Sequence, residues 1–251
     1  MMTDPTPQTT LQDDAILAAH IARTAGEVLL TLRRGPLDGK ALGAAGDAAA
    51  NAFIVRALTT LRPEDGLLSE EAVDSEARLG KRRVWIVDPL DGTREYAEGR
   101  EDWAVHVGLA VDGVAVAGAV ALPATGLVLD TANAPALADA QGLRMIVSRT
   151  RPPAEALAVA QALGAELVPM GSAGAKAMAV VRAQAEIYLH SGGQWEWDNC
   201  APAAVAAAAG LHVSRIDGSP LRYNAAHPYL PDLLICRPEL ADRVLALVAA
   251  L

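Results

Sequence analysis

Aromatic residues are scarce in this 251-residue chain: one Phe, four Trp and four Tyr. A core of ordinary size must therefore be built from Ala, Leu and Val, and the 52% hydrophobic content supplies them. Cysteine is nearly absent. Cys200 and Cys236 form no CxxC pair and have no clustered His, which argues against a disulfide framework or a thiolate zinc site and for two reduced, buried thiols. Positive charge is also short: 21 Lys and Arg against 30 Asp and Glu give a net charge of −9 and a pI near 5.0. No basic block exceeds Lys81-Arg82-Arg83, which argues against a nucleic-acid groove. No apolar run approaches the roughly 20 residues of a transmembrane segment. The opening MMTDPTPQTTLQDD has neither the basic nor the apolar region of a signal peptide, so a cytoplasmic location is expected. If such an acidic chain takes an anionic ligand, it needs a local remedy: cations, or helix N-termini presenting N–H groups.

Periodicity gives the elements. Leu17, Ile21, Ala25, Val28 and Leu32 recur at helical spacing and predict a helix over 13–34, closed by Gly35-Pro36. Residues 36–46 read as a glycine-rich loop and Asp47 as the N-cap of a helix over 48–61. Gly66-Leu67-Leu68-Ser69 reads as a strand leading into Glu70-Glu71, Val84–Val87 as a short strand and 93–99 as a short helix. Residues 103–121 alternate weakly about Asp112-Gly113 and predict a hairpin, with a further strand at 126–130. Residues 131–142 are the linker candidate. Beyond them strands at 143–148, 166–169 and 186–190 alternate with helices at 153–163 and 172–184. A helix at 198–209, strands near 211–215 and 232–236, and a helix at 238–250 complete the chain. The pattern predicts an α/β (α+β) protein: an antiparallel N-terminal sheet with helices over 1–138 and a smaller C-terminal α/β unit over 139–251.

Within RVWIVDPLDGT an apolar run stops at Asp88, and a second carboxylate, Asp91, follows after Pro89-Leu90. Proline donates no ladder hydrogen bond, so the strand is expected to end there and free the Leu90 carbonyl. Two carboxylates and a carbonyl at one turn suit Mg²⁺, Mn²⁺ or Ca²⁺ rather than Zn²⁺. Gly92 allows a close approach to the backbone, and Thr93 reads as the N-cap of a helix whose free N–H groups can take phosphate oxygens. Asp-Pro and Asp-Gly are also ordinary turn dipeptides. Two other acidic segments add weight: Ser69-Glu70-Glu71 after an apolar stretch, and Trp195-Glu196-Trp197-Asp198 before an Ala-rich helix, where Asp198 also reads as an N-cap.

GLLSEE, WIVDPLDGT and WEWDNCAPAAVAAAAG resemble, in order and spacing, the signature segments of the inositol monophosphatase superfamily of Mg²⁺-dependent, lithium-sensitive phosphatases. GSAGAK at 171–176 and IDGSPLRYN at 216–224 are most similar to its bacterial 3′(2′),5′-bisphosphate nucleotidases, which hydrolyse 3′-phosphoadenosine 5′-phosphate in sulfate assimilation. The resemblance implies a layered αβαβα sandwich and two or three Mg²⁺ ions. Glu70, Asp88 and the Leu90 carbonyl would share one ion, and Asp88, Asp91 and Asp198 a second. Thr93 and Asp47, with Glu70, would activate the attacking water, one metal delivering hydroxide and the other stabilising the leaving oxygen. Gly92 and Thr93 would hold the phosphate, and Ser172, Lys176 and Arg149 the nucleotide. A homodimer is the family's habit.

Inositol monophosphatases carry a glutamate just after the tyrosine that precedes their WD motif. Here that region reads Tyr188-Leu189-His190, which weighs against an inositol substrate. His190 either faces the substrate or sits capped at a strand end, and Lys176 either meets the nucleotide or is solvated. The alternatives are an inositol 1-phosphate or fructose 1,6-bisphosphate phosphatase, a haloacid-dehalogenase-type phosphatase, and a metal-dependent nucleotide sensor. Dehalogenase chemistry needs Asp-x-Asp, and the spacing here is Asp-x-x-Asp.

Overall fold

Alternate residues of the strand that carries Asp88 are buried against different helices, and this sets the layering. The computed structural model describes residues 7–140 and 142–251, with only the backbone of 7–10; the start of MMTDPTPQTTLQDD lies outside the described residues. The first sheet orders β1 (Gly66–Ser69), β2 (Arg83–Asp91), β3 (Ala104–Val111), β4 (Val114–Leu122) and β5 (Leu127–Asp130) side by side. It is antiparallel except that β1 runs parallel to β2. The second sheet contains β6 (Arg144–Ser148), β7 (Glu166–Met170), β8 (Ile187–Trp195), β9 (His212–Ser214) and β10 (Tyr229–Cys236), in the order β7-β6-β8-β10-β9.

Trp85 and Val87 of β2 face one core, with Ile21 and Leu29 of α1 (Pro7–Arg33) and Ile54 and Leu58 of α2 (Gly39–Leu61). Val84 and Ile86 face a second core, with Met178 of α5 (Ala173–Val181) and Val205 of α6 (Glu196–Ala208). Ile146, Tyr188 and Ile235 of the second sheet enter that same core. Their neighbours Met145, Leu189 and Leu234 face a third, with Val159 of α4 (Ala154–Leu163) and Val244 of α7 (Ala241–Val248). The result is the expected α-β-α-β-α stack. With both faces covered, β2 to β4 read as nearly unbroken apolar runs, which is why the alternation over 103–121 is weak.

Several local expectations are corrected. Residues 39–46 are helical, so Asp47 lies inside α2 and not at its N-cap. The glycines there serve packing: a Cβ on Gly43 would meet Thr93 Cγ2 at 2.9 Å, and one on Gly46 would meet Leu29, Leu90 and Tyr96 at 3.0–3.1 Å. β2 does not stop at Asp88. It runs to Asp91 through a register shift, where Pro89 needs no ladder partner. By length and composition, Leu11–Arg33 of α1 could cross a membrane, contrary to the reading that no such run exists. Its Ala15, Ala18, Ile21, Ala22, Ala25 and Leu29 are committed to the first core, which marks a core helix.

α1 is fastened through Asp14, whose fully buried carboxylate accepts Arg62 Nε and an Arg83 terminal nitrogen, each at 2.8 Å. Arg83 also pairs with Asp65, which accepts the indole N–H of Trp85 at 2.9 Å. Asp14→Ala would strip two guanidinium groups of a partner. Both keep over a quarter of their side-chain surface in solvent (29% and 27%), so the loss should fall below that of a fully buried pair. We expect about 2 kcal/mol from urea unfolding. An unchanged midpoint would show the network to be dispensable.

Candidate active site

The carboxylates meet because three elements end at one place. β1 delivers Glu70, whose N–H donates to the Val87 carbonyl at 3.3 Å, beside Asp88. The register shift in β2 places Asp88 and Asp91 on either side of Pro89-Leu90. The Leu90 N–H folds back to Asp88 Oδ1 at 3.0 Å. α6 supplies Asp198 from its third position, its carboxylate reaching back to the Trp195 N–H at 2.5 Å. Asp198 is therefore not the N-cap, a place taken by Trp195. Ligand atoms of Asp88, Asp91 and Asp198 lie within 4.8 Å of one another. Glu70 flanks them at a more open position.

Gly92, at φ 89°, turns the chain from β2 into α3 (Thr93–Ala97), and it takes the N-cap position expected for Thr93. The Thr93 hydroxyl instead donates to the Leu90 carbonyl at 3.1 Å and lies 3.5 Å from Asp47 Oδ1. α2 thus presents Asp47 to Thr93 from inside the helix.

Crowding sets the protonation of the group. Burial, with the charges of Glu70 and Asp91, drives Asp88 well above its ordinary value. Burial and Asp91 push Asp198 up to about 6. Glu70 keeps one side in solvent, yet its enclosed side and the Asp198 charge push it up to about 7. Burial and the Glu71 charge raise Asp47 to about 7. Asp91 differs. Burial works against its charge, but His106, Lys176 and Ser172 together hold it below the usual carboxylate range. It accepts Ser172 Oγ at 2.5 Å and the N–H groups of Ala173 and Gly174 at 3.1 and 2.6 Å, with His106 Nε2 at 3.2 Å. The Trp197 carbonyl, 2.9 Å from His106 Nδ1, can only accept, so that nitrogen carries a proton.

A cleft of about 630 Å³ opens from Asp91 and Asp198. Lys176 reaches it from α5. It is only 6% exposed, so the solvated alternative is wrong. Its Nζ donates to the Ser172 carbonyl at 2.6 Å and lies 5.4 Å from the centre of the Tyr188 ring. Ser172 caps α5, accepting the Ala175 N–H at 3.0 Å. Arg149 lines the cleft but is held by Glu95 and Glu98 at 2.7 and 2.9 Å. His190 also lines it, from within β8 rather than a strand end, with Nε2 3.1 Å from the Gly193 carbonyl. Burial and the nearby Lys176 and Arg151 charges keep its imidazole on the neutral side.

Sequence reading overlooked His106, Glu95 and Arg151. His106 had left a signal, a lone imidazole inside the apolar run AVHVGLAV. Glu95 and Arg151 sit in plain surface-like sequence.

The donor set suits a hard divalent cation: three oxygen ligands in one cluster, of which Asp88 and Asp198 have raised pKa values for want of a counter-charge. Two outcomes follow. Raised carboxyl pKa values stabilise the metal-free fold below the ordinary values of 3.8 and 4.5, and that contribution is lost as pH rises through about 6 to 7. Loading with a divalent cation should therefore release protons near pH 6.5, measured by calorimetry in buffers of different ionisation enthalpy; zero release would show the carboxylates already ionised. In EDTA, Asp88→Asn should melt at or above the wild type, because it relieves repulsion. A clear drop would make Asp88 a structural residue.

Comparison with known proteins agrees with this geometry. The model of the inositol monophosphatase family matches residues 11–250. The chain is 50% identical over 252 residues to the 3′-phosphoadenosine 5′-phosphate phosphatase of Mycobacterium leprae (strain TN), spanning 94% of this chain and 93% of the relative. It is 32% identical over 231 residues to the 3′(2′),5′-bisphosphate nucleotidase CysQ of Escherichia coli (strain K12), spanning 84% and 94%. Among solved structures, CysQ from Bacteroides thetaiotaomicron superposes with a TM-score of 0.80 at 26% identity over 90% of this chain and 97% of that one. The chain belongs to the inositol monophosphatase family.

Proposed function

We propose that this protein is a Mg²⁺-dependent phosphatase that hydrolyses the 3′-phosphate of 3′-phosphoadenosine 5′-phosphate to give AMP and phosphate, in sulfate assimilation in the cytoplasm. The observation that carries this reading is a single cleft lined both by Asp91 and Asp198 of the carboxylate cluster and by the cations Lys176, Arg149 and Arg151. A ligand with two phosphates matches that lining: the reacting phosphate near the carboxylates, the second near the cations. The mycobacterial relative's name supports the substrate. Tyr188-Leu189-His190, the region in which inositol monophosphatases carry a glutamate, holds no carboxylate, which supports a nucleotide over inositol.

In this reading Glu70, Asp88 and the Leu90 carbonyl hold one cation, and Asp88, Asp91 and Asp198 a second. When bound, the cations supply the charge that acidifies the attacking water and stabilises the departing oxygen. Thr93 Oγ1 and Asp47 orient that water. Asp47, with its pKa near 7, is poised to take the proton as the new P–O bond forms. Glu70 would assist in activating that water from its place beside the first cation. The Gly92 and Thr93 N–H groups hold the phosphate. Ser172, Lys176, Arg149 and His190 hold the remainder of the substrate.

Phosphate release should require Mg²⁺ and be inhibited by Li⁺ and by excess Ca²⁺, which takes the same oxygens with looser geometry. Full activity after exhaustive EDTA treatment would overturn the metal assignment. Asp88→Asn and Asp91→Asn should each lower turnover about 10³-fold or more. Lys176→Ala removes a charge-assisted contact and should lower kcat/KM for 3′-phosphoadenosine 5′-phosphate about 10- to 150-fold while barely changing inositol 1-phosphate hydrolysis. Equal losses on both would place Lys176 in support of Asp91 instead.

A further inference from the structure

The chain has nine Phe, Trp and Tyr residues in all, and three of them, Trp195, Trp197 and Tyr229, gather in one group, of which Trp195 lines the catalytic cleft. Trp195 stacks on Trp197 with ring centres 5.3 Å apart and planes 9° from parallel. The Tyr229 ring meets Trp195 edge-on at 5.7 Å, and His227 lies against it at 5.4 Å. Trp197 packs against the central core, and the rest of the group faces out. Trp195 is 40% exposed and Tyr229 45%, and His227 is exposed too. Trp195 itself lines the cleft together with Asp91, Asp198 and Lys176.

The backbone holds this group in place. Gly193 lies so close to the Tyr229 hydroxyl that any Cβ there would collide with it. Its φ of 95°, next to Gly192 at 100°, is a conformation that only glycine adopts cheaply. Glu196, buried at the start of α6, accepts the Asn224 and Ala225 N–H groups at 2.6 and 2.8 Å and so anchors the segment that leads to His227 and Tyr229. Exposed aromatic surface in an aromatic-poor chain is costly in water unless something covers it. A flat ring whose phosphate sits at the carboxylates would supply such a cover.

We propose that the rim formed by Trp195, His227 and Tyr229 is a platform on which the substrate's purine base stacks, and that Trp195 sets the preference for nucleotides over phosphate esters that lack a base. This deepens the proposed function and rests on it. Trp195 and the carboxylates share one cleft: Asp198 accepts the backbone N–H of Trp195 at 2.5 Å, and both residues line it, as a purine and its 3′-phosphate share one ribose. Stacking tolerates any base with a π-face and is similar in the ground and transition states, so it acts on KM more than on kcat.

The test compares 3′-phosphoadenosine 5′-phosphate with the abasic tetrahydrofuran 3,5-bisphosphate on the Mg²⁺-loaded full-length protein. The wild type should prefer the nucleotide. In Trp195→Ala that preference, taken as the ratio of kcat/KM values, should fall about 5- to 150-fold and mainly through KM, with Trp195→Phe recovering much of it. Binding of AMP, read by calorimetry, should weaken by a similar factor in Trp195→Ala, whereas inorganic phosphate should bind as it does to the wild type. The Asp198 contact is made by the Trp195 backbone, so the substitution leaves it in place. A ratio that stays at the wild-type value, whether both substrates lose activity equally or neither does, overturns the platform. A wild type that turns over the abasic compound as well as the nucleotide overturns it too. A wild type that hydrolyses neither bisphosphate but accepts inositol 1-phosphate would instead refute the proposed function.

Discussion

Three aspartates share a space in which each can place an oxygen within 4.8 Å of the other two, and the rest of the structure is arranged around that repulsion. The protein neutralises only one of them. Asp91 receives a hydroxyl and two N–H groups, with a His106 ring nitrogen 3.2 Å away, a set that holds it below the usual carboxylate range although it is buried. Asp88 and Asp198 receive one backbone N–H each, and Glu70 no comparable set. The contrast separates two roles within one cluster. Asp91 is a pin, and its neighbours are left short of positive charge, which a cation can supply.

The pin joins the halves of the chain. Asp91 ends β2 in the first sheet, while its donors begin α5, whose body packs on the second sheet. The contact needs a very close approach. A Cβ on Gly174 would collide with His106, and one on Gly171 with Glu95. α6 makes a matching approach from the same layer: Cβ atoms on Gly108 or Gly118 would meet Ala201 or the β3 backbone at 2.8–2.9 Å. The abundance of Ala in α6 follows from that spacing, since larger side chains would lift the helix and withdraw Asp198 from the cluster.

Much of the candidate site was legible because the residues that form it sit in short contiguous segments. Asp88, Leu90, Asp91, Gly92 and Thr93 lie within one turn of chain, and the turn chemistry of Pro89 and Gly92 announces an irregular backbone. The helices were legible from periodicity wherever they have one buried face, and the five-layer stack from the family resemblance. What failed did so for identifiable reasons. Gly43 and Gly46 suggested a loop, because close packing between α2 and α3 leaves the same mark on a sequence as flexibility does. Capping was misplaced at Asp47, Thr93 and Asp198 because side-chain type does not reveal whether a carboxylate caps from the first position or reaches back from the third. The His106 contact to Asp91 and the Glu95 contact to Arg149 join residues whose closeness is created by tertiary packing alone.

Net charge is where sequence and site differ most. A chain at −9 is a poor host for an anion, yet the cleft beyond the carboxylates is cationic. Its cations are not equivalent. Arg149 is already bound by Glu95 and Glu98, so an anion must compete for it. Lys176 is held by a carbonyl and a ring, neither of which cancels its charge, and it is buried where water screens little. Of the two, Lys176 is therefore the more available to an anion. A nucleotide bisphosphate offers both an anionic group for that lysine and a flat ring for Trp195, which lines the same cleft.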